Sequence, residues 1–312
     1  MISKLKRFDL VLITLVYLAF IPLVGVSKLT DFINFSIFVL AYDLLYGHMG
    51  RLSFGHMLYL GTGAYAATLF SVHISTNPLL ALVFAICAGV MLGSILGPII
   101  VRKSGAYFAL INYAFNSLGH FLALTALANF TGGEDGMGAN FSSFGFLNFC
   151  DPSIRFAFSM FCLLAVFYLM KRFSSSPYGI LLKSIKENET RVKFLGYNVF
   201  IFKWVTFILS TSLSAFAGGL WALNFFYVSP SFIDPSRSVE VIFAALIGGA
   251  GNPYGAILGG TVYIAMSNYL ATYIPRWEMF LGITLLILIF RFPKGISGYF
   301  AYHYEKMRGD KQ

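Results

Sequence analysis

Long runs of apolar residues recur along the whole chain and constrain its fold more than any other feature. A helix needs about 20 apolar residues to cross the hydrocarbon layer, and fewer where it is broken or re-entrant. Only 11% of the residues are charged, against about a quarter in soluble domains. We therefore predict an all-α, polytopic membrane protein, with residues 1–312 as a single transmembrane domain. About ten segments qualify as full or short crossings: 8–26, 32–46, 57–72, 79–101, 106–128, 154–170, 201–223, 239–247, 256–273 and 279–290.

The positions of the basic residues predict the orientation of these segments. If the chain starts inside, its cytoplasmic parts are residues 1–7, 47–56, 102–105, 171–200, 248–255 and 291–312. Together with Lys203, they hold all of the 22 Lys and Arg except Lys28, Arg155, Arg237 and Arg276. Cytoplasmic loops carry such an excess, so both termini are predicted to be cytoplasmic. Contact with the lipid bilayer then explains the formal charge of +9, and no nucleic-acid partner is expected.

The chain carries no motif for catalysis or for metal binding. It lacks the G-x-x-x-x-G-K-[ST] loop that cradles phosphates and the H-E-x-x-H zinc motif. The cysteines Cys87, Cys150 and Cys162 do not have metal-ligand spacing. We therefore expect no catalytic residue, metal or cofactor in this chain, and transport is the function class that remains.

The longest polar segment, residues 171–200, is predicted to hold an amphipathic helix outside the membrane. Pro177 suits the first turn of this helix and Gly196 suits its end. Two charge pairs at i,i+4 spacing support it, Glu187 with Arg191 and Glu189 with Lys193. Apolar side chains form a stripe that Asn188 interrupts: Leu181, Ile185, Val192 and Leu195. The helix is either a solvated surface helix or one that docks into a groove of a partner protein.

Several polar or glycine-rich positions inside the apolar runs are candidates for a solute pathway. Asn112, Asn116 and His120 recur every four residues on one helix face, so they line a passage or make structural hydrogen bonds between helices. The glycine-rich segments 47–55 and 248–255 either expose backbone groups to a solute or form tight turns. The predicted pathway residues are Asp43, Ser53, His56, Asn112, Asn116, His120, Gly249 and Gly251.

Two further patterns bear on the fold and the mechanism. Gly89, Gly93 and Gly97 recur at four-residue spacing, which predicts close helix packing, including packing against a partner subunit. Asp43 is a carboxylate within the second apolar run. It is compatible with a solute passage, and the competing hypothesis is a proton-coupled secondary transporter that uses it as the proton carrier.

Short motifs spread from residue 41 to 296 resemble one known family. They read SPYG at 176–179, LKSIKENE at 182–189, LGYN at 195–198, DLLYGHMGRLSFGH at 43–56, GTGAY at 61–65, TGGEDG at 131–136, IGGAGNPYG at 247–255 and RFPKGI at 291–296. Taken together, and in their order along the chain, they resemble the membrane subunits of ATP-binding-cassette importers of the branched-chain amino acid family. The chain departs from the family pattern at Asp43, where Asn is usual, at Arg51, where Gln is usual, and at Ile180, where a basic residue is common.

The resemblance implies a permease subunit in a bacterial or archaeal inner membrane. Its partners would be a sister permease in a heterodimer, two cytoplasmic ATPases that bind ATP and Mg, and an extracytoplasmic substrate-binding protein. The implied substrates are leucine, isoleucine and valine, and the alternatives within the family are urea, amides and other amino acids. The ATPases would dock on the coupling helix of the 171–200 loop, through Leu181, Ile185, Glu187, Asn188, Glu189, Arg191, Val192 and Leu195.

Four acidic residues on the predicted outer side are candidates for contact with the binding protein. They are Glu134, Asp135, Asp234 and Glu240. The alternative is that they are ordinary exposed acids near the lipid surface.

Overall fold

The computed structural model describes residues 2–142, 148–274, 279–280, 282–284, 286 and 295–298, with side chains from residue 9 onward. Apart from turns and loops, this part of the chain is helical, with one two-stranded ladder, β1 (Met137–Gly138) with β2 (Tyr227–Val228). Its helices are α1 (Ile2–Val24), α2 (Val26–Asp43), α3 (His56–His73), α4 (Pro78–Ile100), α5 (Ala106–Phe121), α6 (Ala128–Thr131), α7 (Pro152–Ser174), α8 (Pro177–Glu187), α9 (Glu189–Phe194), α10 (Val199–Phe225), α11 (Ser238–Gly248) and α12 (Pro253–Tyr273). The π-helical turns Leu44–His48 and Leu122–Ala126 extend α2 and α5.

The helices follow the predicted apolar segments. Each of the first nine predicted segments coincides with a described helix, and half of the tenth, 279–290, lies outside the described residues. Four of the described helices are long and apolar enough to cross a membrane: Val26–His48, Pro78–Ile100, Pro152–Ser174 and Val199–Phe225. The predicted helical class is therefore confirmed, and these four helices have the length and composition of membrane spans.

The second predicted segment is longer in the structure than the sequence indicated. We predicted a short run at 32–46, whereas the helix runs from Val26 to His48 over 23 residues. Polar residues before position 32 limit the apolar run but not the helix, because Thr30 and Asp31 both have partners. Thr30 Oγ1 donates to the Val26 carbonyl at 3.0 Å, and the Asp31 carboxylate accepts the indole N–H of Trp221.

Helix α10 lies at the centre of the bundle and packs on α2, α3 and α4. Small residues allow these close approaches. Gly89 and Gly93 of α4 lie against Thr211, and Gly97 lies against Trp204. The close packing predicted from this glycine spacing is thus present, but α10 of the same chain supplies the contact that we had extended to a partner subunit.

Three of the segments predicted to be cytoplasmic, 47–56, 171–200 and 248–255, meet at one end of the bundle. Lys186 Nζ of α8 donates to the Gly47 carbonyl at 2.9 Å, and the Gly251 amide donates to the Asp43 carboxylate at 2.7 Å. At the same end, Lys171 Nζ donates to the Tyr254 hydroxyl at 2.8 Å.

The predicted outer connections meet at the opposite end. There β1 pairs with β2, and Thr76 Oγ1 lies 2.8 Å from Ser142 Oγ.

Candidate functional site

The 171–200 loop forms two short helices rather than one. Helix α8 begins at Pro177, where the Ser176 hydroxyl accepts the Gly179 amide at 3.1 Å. It ends at Asn188, whose backbone is extended and whose side chain accepts the Arg191 amide at 2.9 Å, which caps α9. The prediction of one continuous helix is wrong, because an Asn side chain that caps a new helix competes with continuation of the old one.

The break at Asn188 also decides which of the predicted charge pairs forms. Glu189 and Lys193 both lie on α9, and their carboxylate and ammonium are 2.9 Å apart. Glu187 and Arg191 lie on opposite sides of the break, and the structure shows no ion pair between these two described residues.

The predicted apolar stripe of the loop divides into a buried part and an exposed part. Ile185 and Val192 are buried with Leu182 and Val199, and this small core fixes α8 and α9 to the start of α10. Leu181 packs partly against this core. The apolar side chains that point outward are Ile180, Phe194 and Leu195, with Phe194 87% exposed. The apolar part of an interface on this loop would therefore consist of Leu195 from the predicted set, together with Ile180 and Phe194.

Glu189 is the centre of an ion cluster between the loop and the bundle. Its Oε2 atom lies 3.0 Å from Arg51 Nη2 and 2.5 Å from Lys203 Nζ, and its Oε1 atom lies 2.9 Å from Lys193 Nζ. Burial alone raises the pKa of the Glu189 carboxyl, but the hydrogen bonds and charges of Lys203 and Lys193 outweigh burial and hold this pKa below its usual value. The carboxylate is therefore ionised at neutral pH.

Two further hydrogen bonds join the loop to the turn Leu44–His48 and its flank. Lys186 Nζ donates to the Gly47 carbonyl, and His48 Nε2 lies 2.6 Å from the Ser174 hydroxyl at the end of α7. His48 Nδ1 lies 3.2 Å from the Asp43 carbonyl and 3.7 Å from the Asp43 carboxylate, so the imidazole also contacts Asp43. The sequence analysis did not single out His48, Ser174 or Lys186.

Asp43 ties together the two glycine-rich segments. Its Oδ1 atom accepts the Gly251 amide at 2.7 Å, while its Oδ2 atom has no hydrogen-bond partner among the described residues. The residue is 1% exposed. A side chain at Gly47 would collide with the Asp43 carboxylate and the Gly251 backbone, so only glycine permits this approach. Gly249 and Gly251 have positive φ angles, so 248–255 is a tight turn between α11 and α12.

Ser53 and His56 belong to a second, separate cluster in the interior. Ser210 Oγ donates to the Ala41 carbonyl at 2.6 Å and lies 3.0 Å from His56 Nε2. Because the Ser210 proton is already used, His56 Nε2 must be the donor in that pair. His56 Nδ1 then accepts from Ser53 Oγ at 3.3 Å, which makes the imidazole neutral.

The polar face of α5 turns toward α3 and α11. Asn112 Oδ1 accepts the Tyr59 hydroxyl at 3.1 Å, and Asn116 Nδ2 donates to Ser238 Oγ at 2.9 Å. Both asparagines are buried, and His120 is half-buried. Within this chain, the asparagines therefore make hydrogen bonds between helices. Asn116 Oδ1 has no hydrogen-bond partner in the described part of the chain.

The four outer acids differ in their surroundings. The side chains of Glu134 and Asp135 are exposed. Asp234 Oδ1 accepts the Ser236 amide at 2.9 Å and caps a 3₁₀ turn, and Glu240 Oε1 lies 2.8 Å from Arg237 Nε. The first two acids are thus available at the surface, whereas the other two stabilise the loop before α11.

No group of three or more His, Cys, Asp or Glu side chains in the described structure is arranged to hold a metal ion. The clusters around Glu189, Asp43 and His56 consist of hydrogen bonds and ion pairs between helices and loops. Their chemistry is that of fastening segments together.

Comparisons with known proteins identify relatives over most of the chain. The profile of the family described as "Branched-chain amino acid transport system / permease component" matches residues 26–290. The high-affinity branched-chain amino acid transport system permease protein LivM of Salmonella typhimurium is 26% identical over 283 residues, which cover 82% of this chain and 66% of that protein. The protein of the same name from Escherichia coli is 25% identical over 284 residues, with the same coverage.

An archaeal relative also matches most of the chain. The probable branched-chain amino acid transport permease protein LivM of Methanocaldococcus jannaschii is 26% identical over 273 residues, which cover 77% of this chain and 78% of that protein. The chain spans only 66% of the length of the two bacterial relatives. No solved structure matches it. Because the family profile covers residues 26–290, the chain belongs to the family of permease components of branched-chain amino acid transport systems, as the resemblance of its motifs predicted.

Proposed function

We propose that this chain is the permease subunit of an ATP-binding-cassette importer and forms part of the pathway for leucine, isoleucine and valine. The observation that carries the proposal is the family match over residues 26–290, together with relatives named for transport of these amino acids. The absence of a phosphate-binding loop in the sequence supports a separate motor. Urea, amides or other amino acids are the alternative substrates within the family.

The experiment that tests this function is uptake by a reconstituted assembly. Vesicles would contain this chain, its sister permease and the ATPases, with the binding protein outside, and would be supplied with labelled leucine. We expect uptake that needs ATP and Mg and persists with an uncoupler. Uptake without any ATPase that an uncoupler abolishes would instead select a proton-coupled transporter. Uptake of urea or amides, but not of leucine, would reassign the substrate.

The proposed architecture has about ten transmembrane segments, with both termini cytoplasmic, in a bacterial or archaeal inner membrane. Two observations support it. The basic residues concentrate in alternate connections, and these connections meet at one end of the bundle. A sister permease, two ATPases and an extracytoplasmic binding protein complete the proposed assembly.

The proposed ATPase dock is the outward face of α8 and α9. Charged and apolar side chains are exposed there side by side: Glu187, Arg191, Phe194 and Leu195. Ile185 and Val192 would support this dock from beneath, because they hold the two helices on α10. ATP and Mg would bind in the ATPase subunits.

Reversing the charge of Arg191 is expected to weaken the hold on the ATPases. For Arg191→Glu we expect copurification of the ATPases to fall by about ten-fold, the equivalent of about 1.4 kcal/mol of binding free energy. Lys103→Glu is the matched control, because Lys103 is also exposed and lies in a different loop predicted to be cytoplasmic. Unchanged copurification and uptake with Arg191→Glu would remove the docking assignment.

The exposed outer acids are proposed to contact the binding protein. In the double variant Glu134→Ala/Asp135→Ala, we expect the affinity for the binding protein to fall to about a fifth. The affinity that remains should depend less on the salt concentration. Titration of labelled binding protein against the assembly in nanodiscs measures this affinity. Glu240→Ala is the comparison, because it removes the counter-ion of Arg237 and should lower the unfolding temperature instead. Undiminished affinity in the double variant would contradict the proposed contact.

A further inference from the structure

The Glu189 carboxylate faces the bundle, not the exposed side of its loop. Two cations, Arg51 of the segment 47–55 and Lys203 of α10, contact its Oε2 atom, while the exposed Lys193 contacts Oε1. The Lys203 side chain is only 6% exposed, so Glu189 is the counter-ion of a nearly buried ammonium. A residue whose oxygens are filled in this way is poorly suited to contact another protein directly.

We propose that Glu189 is a positioning residue that fastens the 171–200 loop to the glycine-rich segment 47–55 and thereby transmits displacement of the loop to Asp43. The inference rests on the proposed function, because the displacement would come from the ATPases. It assigns Glu189 a role behind the docking surface instead of on it.

The contacts around Glu189 make a short mechanical route. Arg51 lies three residues after the turn Leu44–His48, and its amide donates to the Leu45 carbonyl at 3.0 Å, so the ion pair holds one end of this turn. Lys186 holds its middle through the Gly47 carbonyl, and the Ser174 hydroxyl holds it through His48. The three attachments come from α9, α8 and the end of α7. The loop and the turn therefore move as one unit while these attachments persist.

The route continues from the turn into the bundle. Asp43 lies directly before the turn, and its carboxylate accepts the Gly251 amide. Gly47 lies in close contact with Gly251. A shift of the turn Leu44–His48 would therefore displace the segment 248–255 between α11 and α12. Movement of the loop thus reaches α12 and α11, and Ser238 of α11 accepts a hydrogen bond from Asn116.

Replacing Glu189 with glutamine tests the role in transmission. Without the carboxylate, Arg51, Lys193 and Lys203 lose the anion that they share, and the loop keeps only two of its three attachments to the turn. We expect the Glu189→Gln assembly to copurify with its ATPases and to hydrolyse ATP, while leucine taken up per ATP hydrolysed falls by about ten-fold. The charge-swapped variant Glu189→Lys/Lys203→Glu keeps an acid beside Arg51 and should restore at least half of the wild-type ratio.

Three outcomes would overturn the proposal. An unchanged uptake-to-hydrolysis ratio in Glu189→Gln would mean that the carboxylate does not transmit movement. Loss of ATPase copurification would make Glu189 a direct docking residue. A charge-swapped variant no better than Glu189→Gln would show that the ion pairing with the bundle is not the cause.

Hydrogen exchange separates this inference from the proposed function. With the whole assembly in nanodiscs, amides of 189–194 and 44–51 should exchange about ten-fold faster in Glu189→Gln than in the wild type, because local opening becomes easier. Equal exchange would mean that Glu189 does not fasten the loop to the segment 47–55, even if transport is ATP-driven. Faster exchange in Glu189→Gln, in an assembly whose wild type transports nothing, would keep the fastening role of Glu189 and remove the importer function.

Discussion

Replacing Gly218 with alanine is expected to destabilise the protein so strongly that most of the folded yield is lost. Gly218 lies where the backbones of α10 and α3 approach most closely, and a Cβ at this position would overlap the Leu60 carbonyl and approach the Ala64 amide. Alanine gains about 1 kcal/mol over glycine in helix propensity. Overpacking against a backbone that cannot rotate away costs about 3 kcal/mol or more, so the loss outweighs the gain. We expect a several-fold lower yield of monodisperse protein in detergent, and a lower unfolding temperature.

Gly219→Ala is the matched control for this effect. It makes the same change in propensity on the same helix, but its Cβ would meet Leu82 Cδ2 at 2.9 Å and Ala85 Cβ at 3.1 Å. The Leu82 methyl is the far end of a flexible side chain and can move aside. The control should therefore be clearly the more stable of the two variants. Equal stability would mean that α3 and α10 are not in backbone contact at Gly218.

The apolar runs predicted the helices because burial in lipid selects continuous apolar segments of fixed length. This rule fails where a polar residue inside a helix has a distant partner. Asp31 made the predicted second segment begin too late in the chain, since the indole of Trp221, far away in sequence, satisfies its carboxylate. The glycine spacing in α4 predicted close packing but not which helix would supply the contact.

The candidate site was predictable where the signal is local and unpredictable where it depends on tertiary contacts. The family motifs identified the 171–200 loop, and Asn188 carried a signal that was available, because an Asn followed by Glu is a common helix start. The Glu189 cluster depends on Arg51, which lies 138 positions earlier in the chain. One hint was present in the sequence. Lys203 stands at the start of an apolar run, where a buried cation needs an acid nearby.

The pathway predictions mix several environments that sequence spacing cannot separate. Asp43 and Gly251 come together in one cluster, and Ser53 and His56 in another. The asparagines of α5 contact partners on α3 and α11. Their role in a solute path stays a prediction, because that path would form together with a sister subunit.

Replacing Asp43 with leucine is expected to abolish uptake, whereas asparagine should preserve it. Leucine removes the acceptor for the Gly251 amide, and an unsatisfied buried N–H costs about 1–3 kcal/mol at the contact between the two glycine-rich segments. Asparagine keeps an oxygen in the Oδ1 position and is the residue usual in the family that the motifs resemble. We expect leucine uptake by the assembly to drop more than about ten-fold in Asp43→Leu and to stay within about two-fold of wild type in Asp43→Asn.

The asparagine variant also separates the two transport mechanisms. An importer driven by ATP does not need Asp43 to ionise, because in this structure the carboxylate serves as a hydrogen-bond acceptor at a buried turn. A proton-coupled transporter that uses Asp43 needs a group that binds and releases protons, and an amide does neither. Uptake by Asp43→Asn should therefore keep the pH dependence of the wild type. A folded Asp43→Asn variant that assembles with its ATPases yet takes up no leucine would show that the charge itself is required, and would favour proton coupling.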